Sequence, residues 1–186
     1  MRPERRGPLQ DIVAIHRAIA RLDQLSTLGP QTFGRYMQRL LAYSFESAGF
    51  RVNQNAVGVP DFIAQLVGED SFQSIAVEAK TSLTGKVTID ERDLDGVRGA
   101  AATPVVAVLV FPSPTPSWLF VNANDLVPRV WEVRRLAARE QVQLGFDVQD
   151  VFLTLLGGLD SRVLDGSMFL NSWLEESRRR HAGIGP

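Results

Sequence analysis

The 186-residue sequence predicts an α/β protein, a mixed β-sheet flanked by helices. Three observations predict it. Val105-Val106-Ala107-Val108-Leu109-Val110-Phe111 is an unbroken apolar run of strand length, the pattern of a central strand covered on both faces. Upstream, segments near residues 50–55, 61–67 and 72–80 read as strands, punctuated by Gly58 and Gly68-Glu69-Asp70. Both ends of the chain instead repeat apolar residues at helical spacing.

Taken in order, residues 9–25 carry Leu9, Ile12, Val13, Ile15, Ile19, Leu22 and Leu25, an amphipathic helix behind a polar arm. Gly29-Pro30 breaks it. Thr32 is the predicted cap of the next helix, which stops at Gly49. The three strands follow, then a loop around Gly85 and a helix over 90–102 whose start is rich in Asp, Glu and Arg. After the 105–111 strand comes Pro112-Ser113-Pro114-Thr115-Pro116-Ser117, a stiff loop, and a last strand from Trp118 to Val121. The remainder reads as mostly helical: Val148, Val151, Phe152 and Leu155 keep helical spacing, as do Phe169, Trp173 and Leu174.

Composition narrows the chemistry. A net charge of -1 gives no global basic field, although a local patch is compatible with it. Without cysteine there is no disulfide framework, thiolate zinc site or cysteine nucleophile. His16 and His181 stand near opposite ends, which argues against a histidine triad or zinc centre. No apolar run resembles a signal peptide or reaches the length of a membrane span, so the expected location is cytoplasmic, with no membrane partner.

The chemically suggestive residues are Pro60-Asp61 and Glu78-Ala79-Lys80. Side chains alternate faces along a strand, so Glu78 and Lys80 project to one side, and a neighbouring strand can bring Asp61 alongside. Two carboxylates and an amine on a sheet edge suit metal-assisted phosphodiester hydrolysis. The bland alternative is a cross-strand ion pair between Glu78 and Lys80 that contributes little.

In this order, Gly34-Arg35-Tyr36-Met37-Gln38, Gly49-Phe50, Pro60-Asp61, Glu78-x-Lys80 and Val87-Thr88-Ile89 resemble the PD-(D/E)xK nuclease superfamily. The likeness is to archaeal-type Holliday-junction resolvases and Mrr-type restriction nucleases, over roughly residues 33–122. The resemblance implies a restriction-endonuclease-like core at 32–122, with an N-terminal arm and helix at 1–31 and a helical C-terminal extension at 123–186. It implies that Asp61 and Glu78 hold Mg²⁺, with Mn²⁺ as a substitute and the Ala79 carbonyl as a further ligand. It implies that Lys80 orients the attacking water or stabilises developing charge. Gln38 stands where these relatives carry a metal-supporting Glu; it keeps an oxygen donor but not the charge. Glu46 falls on the opposite side of that helix, toward solvent, and is rejected as a substitute.

The implied activity is a metal-dependent DNA endonuclease, resolvase-like or a restriction or defence nuclease, needing no small-molecule cofactor and acting as a homodimer. The alternatives are an inactive nuclease-fold module that binds DNA or protein, favoured by Gln38 and the near-neutral charge, and a plain assembly subunit. Thr81, Ser82, Thr84 and Lys86 are either phosphate contacts or a solvated loop. Arg92 and Arg98 either line a DNA cleft or pair with Asp93 and Asp95. Gln54 and Asn55 precede the Asp61 strand in a polar loop. Arg2, Arg5 and Arg6, with Arg178, Arg179, Arg180 and His181, form terminal basic clusters that read as solvated tails or backbone-tracking arms. Trp118, Trp131 and Trp173 are expected in the core or an interface.

Overall fold

The computed structural model describes residues 8–55, 58–67, 72–144 and 147–181. The predicted turn at Gly68-Glu69-Asp70 and the arginines at 2, 5 and 6 lie outside the described residues. Helix α1 spans Pro8–Ser26 and α2 spans Pro30–Ser47. In α1 the buried stripe is Ala18, Leu22 and Leu25, while Ile12 and Val13 are exposed. At 100° per residue those two fall roughly 100° and 160° from the middle of that stripe. Helix α2 is capped by Gly29 (φ 87°) with Pro30 in its first turn, not by Thr32. Proline suits that position because its missing N–H has no partner there anyway. Phe33, Met37, Leu40 and Leu41 form the buried face of α2, and Gly49 (φ 96°) ends it where a side chain would be strained.

Five strands form the main sheet: β1 (Arg51–Gln54), β2 (Phe62–Val67), β3 (Phe72–Lys80), β5 (Thr103–Val110) and β6 (Ser117–Asn122), in the order β1-β2-β3-β5-β6. Neighbours are antiparallel except β3 and β5, which run parallel, so the sheet is mixed as expected. A parallel pair needs a crossover. Here it contains β4 (Lys86–Ile89) and α3 (Glu91–Arg98). Helix α3 is shorter than the predicted 90–102: a capping box between Asp90 and Asp93 starts it, and Gly99 stands at its C-terminal cap.

The segment after residue 122 is not purely helical. β7 (Arg129–Glu132) pairs antiparallel with β4 in a second, two-stranded sheet, which the helical assignment missed. Four residues show too little alternation to announce a strand, and their partner lies some forty residues upstream. Helices α4 (Val133–Ala137), α5 (Val148–Gly157), α6 (Ser161–Leu164) and α7 (Leu170–His181) complete the described chain. No helix among the described residues is long and apolar enough to cross a membrane.

The sheet separates two cores. Ile75, Val77, Val105, Ala107 and Leu109 face α1, α2 and α5, where Phe45 makes edge-on ring contacts with Phe50, Phe62 and Phe120. Ala76, Val106 and Val108 face α3 and the small sheet, packing with Leu94, Val97 and Trp131. The C-terminal helices share the first core, since Phe152, Trp173 and Leu174 are buried with Leu22 and Phe45. Trp118 and Trp131 are also buried, whereas Phe169 is exposed. Glu46 does not simply face solvent: Arg178 of α7 donates to its Oε2 at 2.7 Å. The pair is partly exposed, so Arg178→Ala should cost at most about 1 kcal/mol in a denaturant titration.

Candidate functional site

Alternation along β3 puts Glu78 and Lys80 on the face of Ala76, toward α3. Asp61 stands just before β2. The register Phe62↔Val77 therefore brings it opposite Glu78. The turn that delivers it, through the cis Val59–Pro60 bond, is tied down twice by Asn55. The Asn55 backbone N–H donates to the Asp61 carbonyl at 2.9 Å, and its side-chain amide donates to the Pro60 carbonyl at 2.6 Å. Asp61 Oδ2 accepts from the Ala79 backbone N–H at 2.8 Å. A strand residue's N–H and C=O leave on the same edge, so the Ala79 carbonyl is directed toward Asp61 as well.

Lys80 lies between two acids. Its Nζ is 3.0 Å from Glu78 Oε1 and 2.7 Å from Asp93 Oδ1. Sequence reasoning offered Asp93 only as a partner for nearby arginines. Its place at the third position of α3 turns it back onto the sheet, and Glu78 and Asp93 are each only 6% exposed. Helix α3 also touches the Asp61 turn. A Cβ added at Gly96 would stand 2.4 Å from Val59 Cβ, so only glycine allows this approach.

Electrostatics follow from this crowding. Burial, then the Asp61 carboxylate, push Glu78 up to about 8 against the attraction of Lys80. Burial also raises Asp61, opposed by the Ala79 hydrogen bond and Lys80. Burial alone would lower Lys80, but Glu78 and Asp93 outweigh it and raise its pKa.

The fit to a cation can be tested on the donor atoms. Glu78 Oε2 is buried and has no hydrogen-bond partner among the described residues. An orphaned carboxylate oxygen beside a second carboxylate suits Mg²⁺, which commonly takes one or two carboxylates and keeps several waters. Among the described residues no three His, Cys, Asp or Glu side chains gather as a metal-holding group, so the protein offers two carboxylates and a carbonyl edge.

The remaining predicted residues divide. Gln38 lies on α2, which packs against the opposite face of the sheet, and among the described residues no hydrogen bond joins it to Asp61, Glu78 or Lys80. One turn earlier, a Cβ at Gly34 would lie 3.4 Å from Thr81 Oγ1, which places Thr81 on the α2 side. Ser82 is buried, and its Oγ accepts from the backbone N–H groups of Thr84 and Lys86, so it shapes the turn instead of facing a ligand. The Arg98 guanidinium donates to the carbonyls of Ala123 and Leu126 at 2.7 Å, bracing α3, and among the described residues no ion pair joins it to Asp93 or Asp95. Arg92 is exposed. Lys86 is exposed too and lines a cleft of about 580 Å³ with Leu83, Val110, Phe111, Glu132 and Arg134, beyond the C-terminal ends of β3 and β5. Sequence reasoning missed Gly96, and missed the roles of Asp93, read only as an arginine partner, and of Asn55, read only as part of a polar loop that could approach a groove. Only the Asp90-x-x-Asp93 spacing carried a signal, that of a capping box. No model of a known protein family matches the sequence, and no curated protein matches it.

Proposed function

We propose that the chain is a Mg²⁺-dependent DNA endonuclease built on a restriction-endonuclease-like core, either resolvase-like or a restriction or defence nuclease. The observation that carries the reading is the placing of Asp61 opposite Glu78 on neighbouring strands, with Glu78 Oε2 buried and unpartnered among the described residues and Lys80 against its other oxygen. The resemblance of Pro60-Asp61…Glu78-x-Lys80 to the PD-(D/E)xK superfamily points the same way.

Asp61, Glu78 and the Ala79 carbonyl would hold the ion. When bound, Mg²⁺ or Mn²⁺ polarises the scissile phosphate and makes a coordinated water acidic. Lys80, kept protonated by its two acids, offers N–H donors to that water or to the negative charge that grows on the phosphate. The Asn55 contacts and the Ala79 N–H hold Asp61 toward Glu78, so little reorganisation is needed. A second reading, an inactive module that binds DNA or protein, is favoured by Gln38 standing on a helix that covers the opposite face of the sheet and by the absence, among the described residues, of a cluster of three acidic ligands.

The deciding experiment incubates the purified protein with supercoiled plasmid, linear duplex and a four-way junction under Mg²⁺, Mn²⁺ or EDTA. Lys80→Ala runs in parallel. Cleavage that needs metal and is lost in Lys80→Ala supports the nuclease, and the preferred substrate separates resolvase from restriction enzyme. Binding without cleavage would favour the inactive module, and neither would leave a protein-interaction role.

A further inference from the structure

We infer that Asp93 is the positioning residue for Lys80, holding its ammonium in place when Glu78 turns to a cation. The inference rests on the nuclease reading for its catalytic consequence, but not for the contact itself. Lys80 has two acidic partners, and only Glu78 is also a candidate ligand. A carboxylate that donates electron density to a cation has less left for an ammonium, so the Glu78–Lys80 contact weakens as the site fills.

Asp93 suffers no such competition. Its Oδ1 lies 2.7 Å from Lys80 Nζ, while its Oδ2 accepts the Asp90 backbone N–H at 3.0 Å. Its own N–H donates to Asp90 Oδ1 at 2.9 Å. The carboxylate is therefore fixed by the first turn of α3 and buried, and it presents one oxygen to Lys80. Helix α3 is itself seated against the Asp61 turn through Gly96 and Val59. One short helix thus holds the lysine and buttresses the aspartate loop. A fixed second partner also removes rotamers from a flexible four-carbon side chain, which matters for an amine that must meet one water or one phosphate oxygen.

Two substitutions separate this role from helix capping. Asp93→Asn keeps an oxygen for the Asp90 N–H but takes the negative charge from Lys80. Asp90→Ala removes the acceptor for the Asp93 N–H and leaves the backbone N–H that holds Asp93 Oδ2. Two readouts are made on the full chain: steady-state cleavage kinetics under Mg²⁺, and amine-directed labelling of Lys80 followed by peptide mass spectrometry.

In Asp93→Asn, kcat should fall about 10–100-fold, as for other residues that orient a catalytic group, with KM for DNA little changed. Lys80 labelling should rise severalfold, because the side chain loses the 2.7 Å contact that holds its amine against α3. Asp90→Ala should lower the melting temperature and leave both readouts near wild type. Unchanged Lys80 labelling in Asp93→Asn, or equal loss of kcat in both variants, would overturn the inference. If wild type cleaves nothing under any metal, the nuclease reading falls; the labelling contrast alone then decides whether Asp93 holds Lys80.

Discussion

Replacing Glu78 with glutamine is expected to abolish metal-dependent cleavage and also to make the metal-free protein more stable at alkaline pH. The first effect would follow from losing one of the two proposed carboxylate ligands and should exceed about a hundredfold in kcat. The second follows from burial. Desolvation and the neighbouring Asp61 together outweigh Lys80 and push the Glu78 carboxyl up to about 8. Between its unfolded value of 4.5 and that value, the folded chain keeps a proton that the unfolded chain has released. Metal-free stability contributed by this group is therefore complete below the unfolded value and lost as pH rises through about 8.

Glutamine never ionises, so it escapes that loss, and Lys80 retains Asp93 as a partner. Wild type and variant should unfold alike near pH 4.5. Above pH 8 the variant should be ahead by on the order of 2 kcal/mol, or roughly 4–8 °C. Added Mg²⁺ should raise the melting temperature of wild type at that pH and leave the variant unmoved, since only a state with a cation site gains from mass action. Thermal melts at both pH values, with and without Mg²⁺, check this; a variant less stable than wild type at alkaline pH would mean that the ion pair with Lys80 outweighs the cost of burial.

Gly96→Ala is expected to destabilise the fold and to impair the site from outside it. In a helix interior, alanine is favoured over glycine by about 1 kcal/mol. The new methyl, however, would stand 2.4 Å from both Val59 Cβ and Val59 Cγ1, and 3.1 Å from the Val59 carbonyl carbon. Overpacking of this kind costs about 1–3 kcal/mol and is relieved by backbone movement. The backbone that must move is the turn into Pro60 and Asp61, so the Asp61 carboxylate leaves its place beside Glu78. The melting temperature should fall despite the better helix former, and cleavage should fall with it. Val59→Gly in the same chain should restore much of both by removing the obstructing atoms. A Gly96→Ala protein that melts higher than wild type, with cleavage intact, would show that α3 is free to stand off from the turn.

Much of the architecture was legible because local patterns report local structure. The 105–111 run gave a buried central strand, and the three segments before it form strands close to their expected bounds. The pairing of Asp61 with the Glu78 strand was also readable, because β2, which Asp61 leads into, and β3 follow one another in the chain and pair antiparallel. The misses share one cause. β7 is four residues whose strand character exists only in its pairing with β4. Arg98 was read as lining a cleft or pairing with Asp93 and Asp95; its guanidinium finds two backbone carbonyls that follow β6, contacts which no spacing in sequence announces. Asp93 was read only as a partner for Arg92 or Arg98, yet it pairs with Lys80 across the sheet face.

By itself, then, the sequence determined most of the elements, their mixed-sheet class and the placing of the candidate trio Asp61, Glu78 and Lys80 on neighbouring strands, because alternation and helical period are written into consecutive residues. Only the tertiary structure decided that Asp93 completes the charge cluster, that Gly96 lets α3 reach the Asp61 turn, and that Gln38 lies across the sheet from both. Those relations depend on which face of the sheet each helix covers. Burial then sets their energetics, because a carboxylate removed from water responds to neighbours that the same residue in an open chain would not feel.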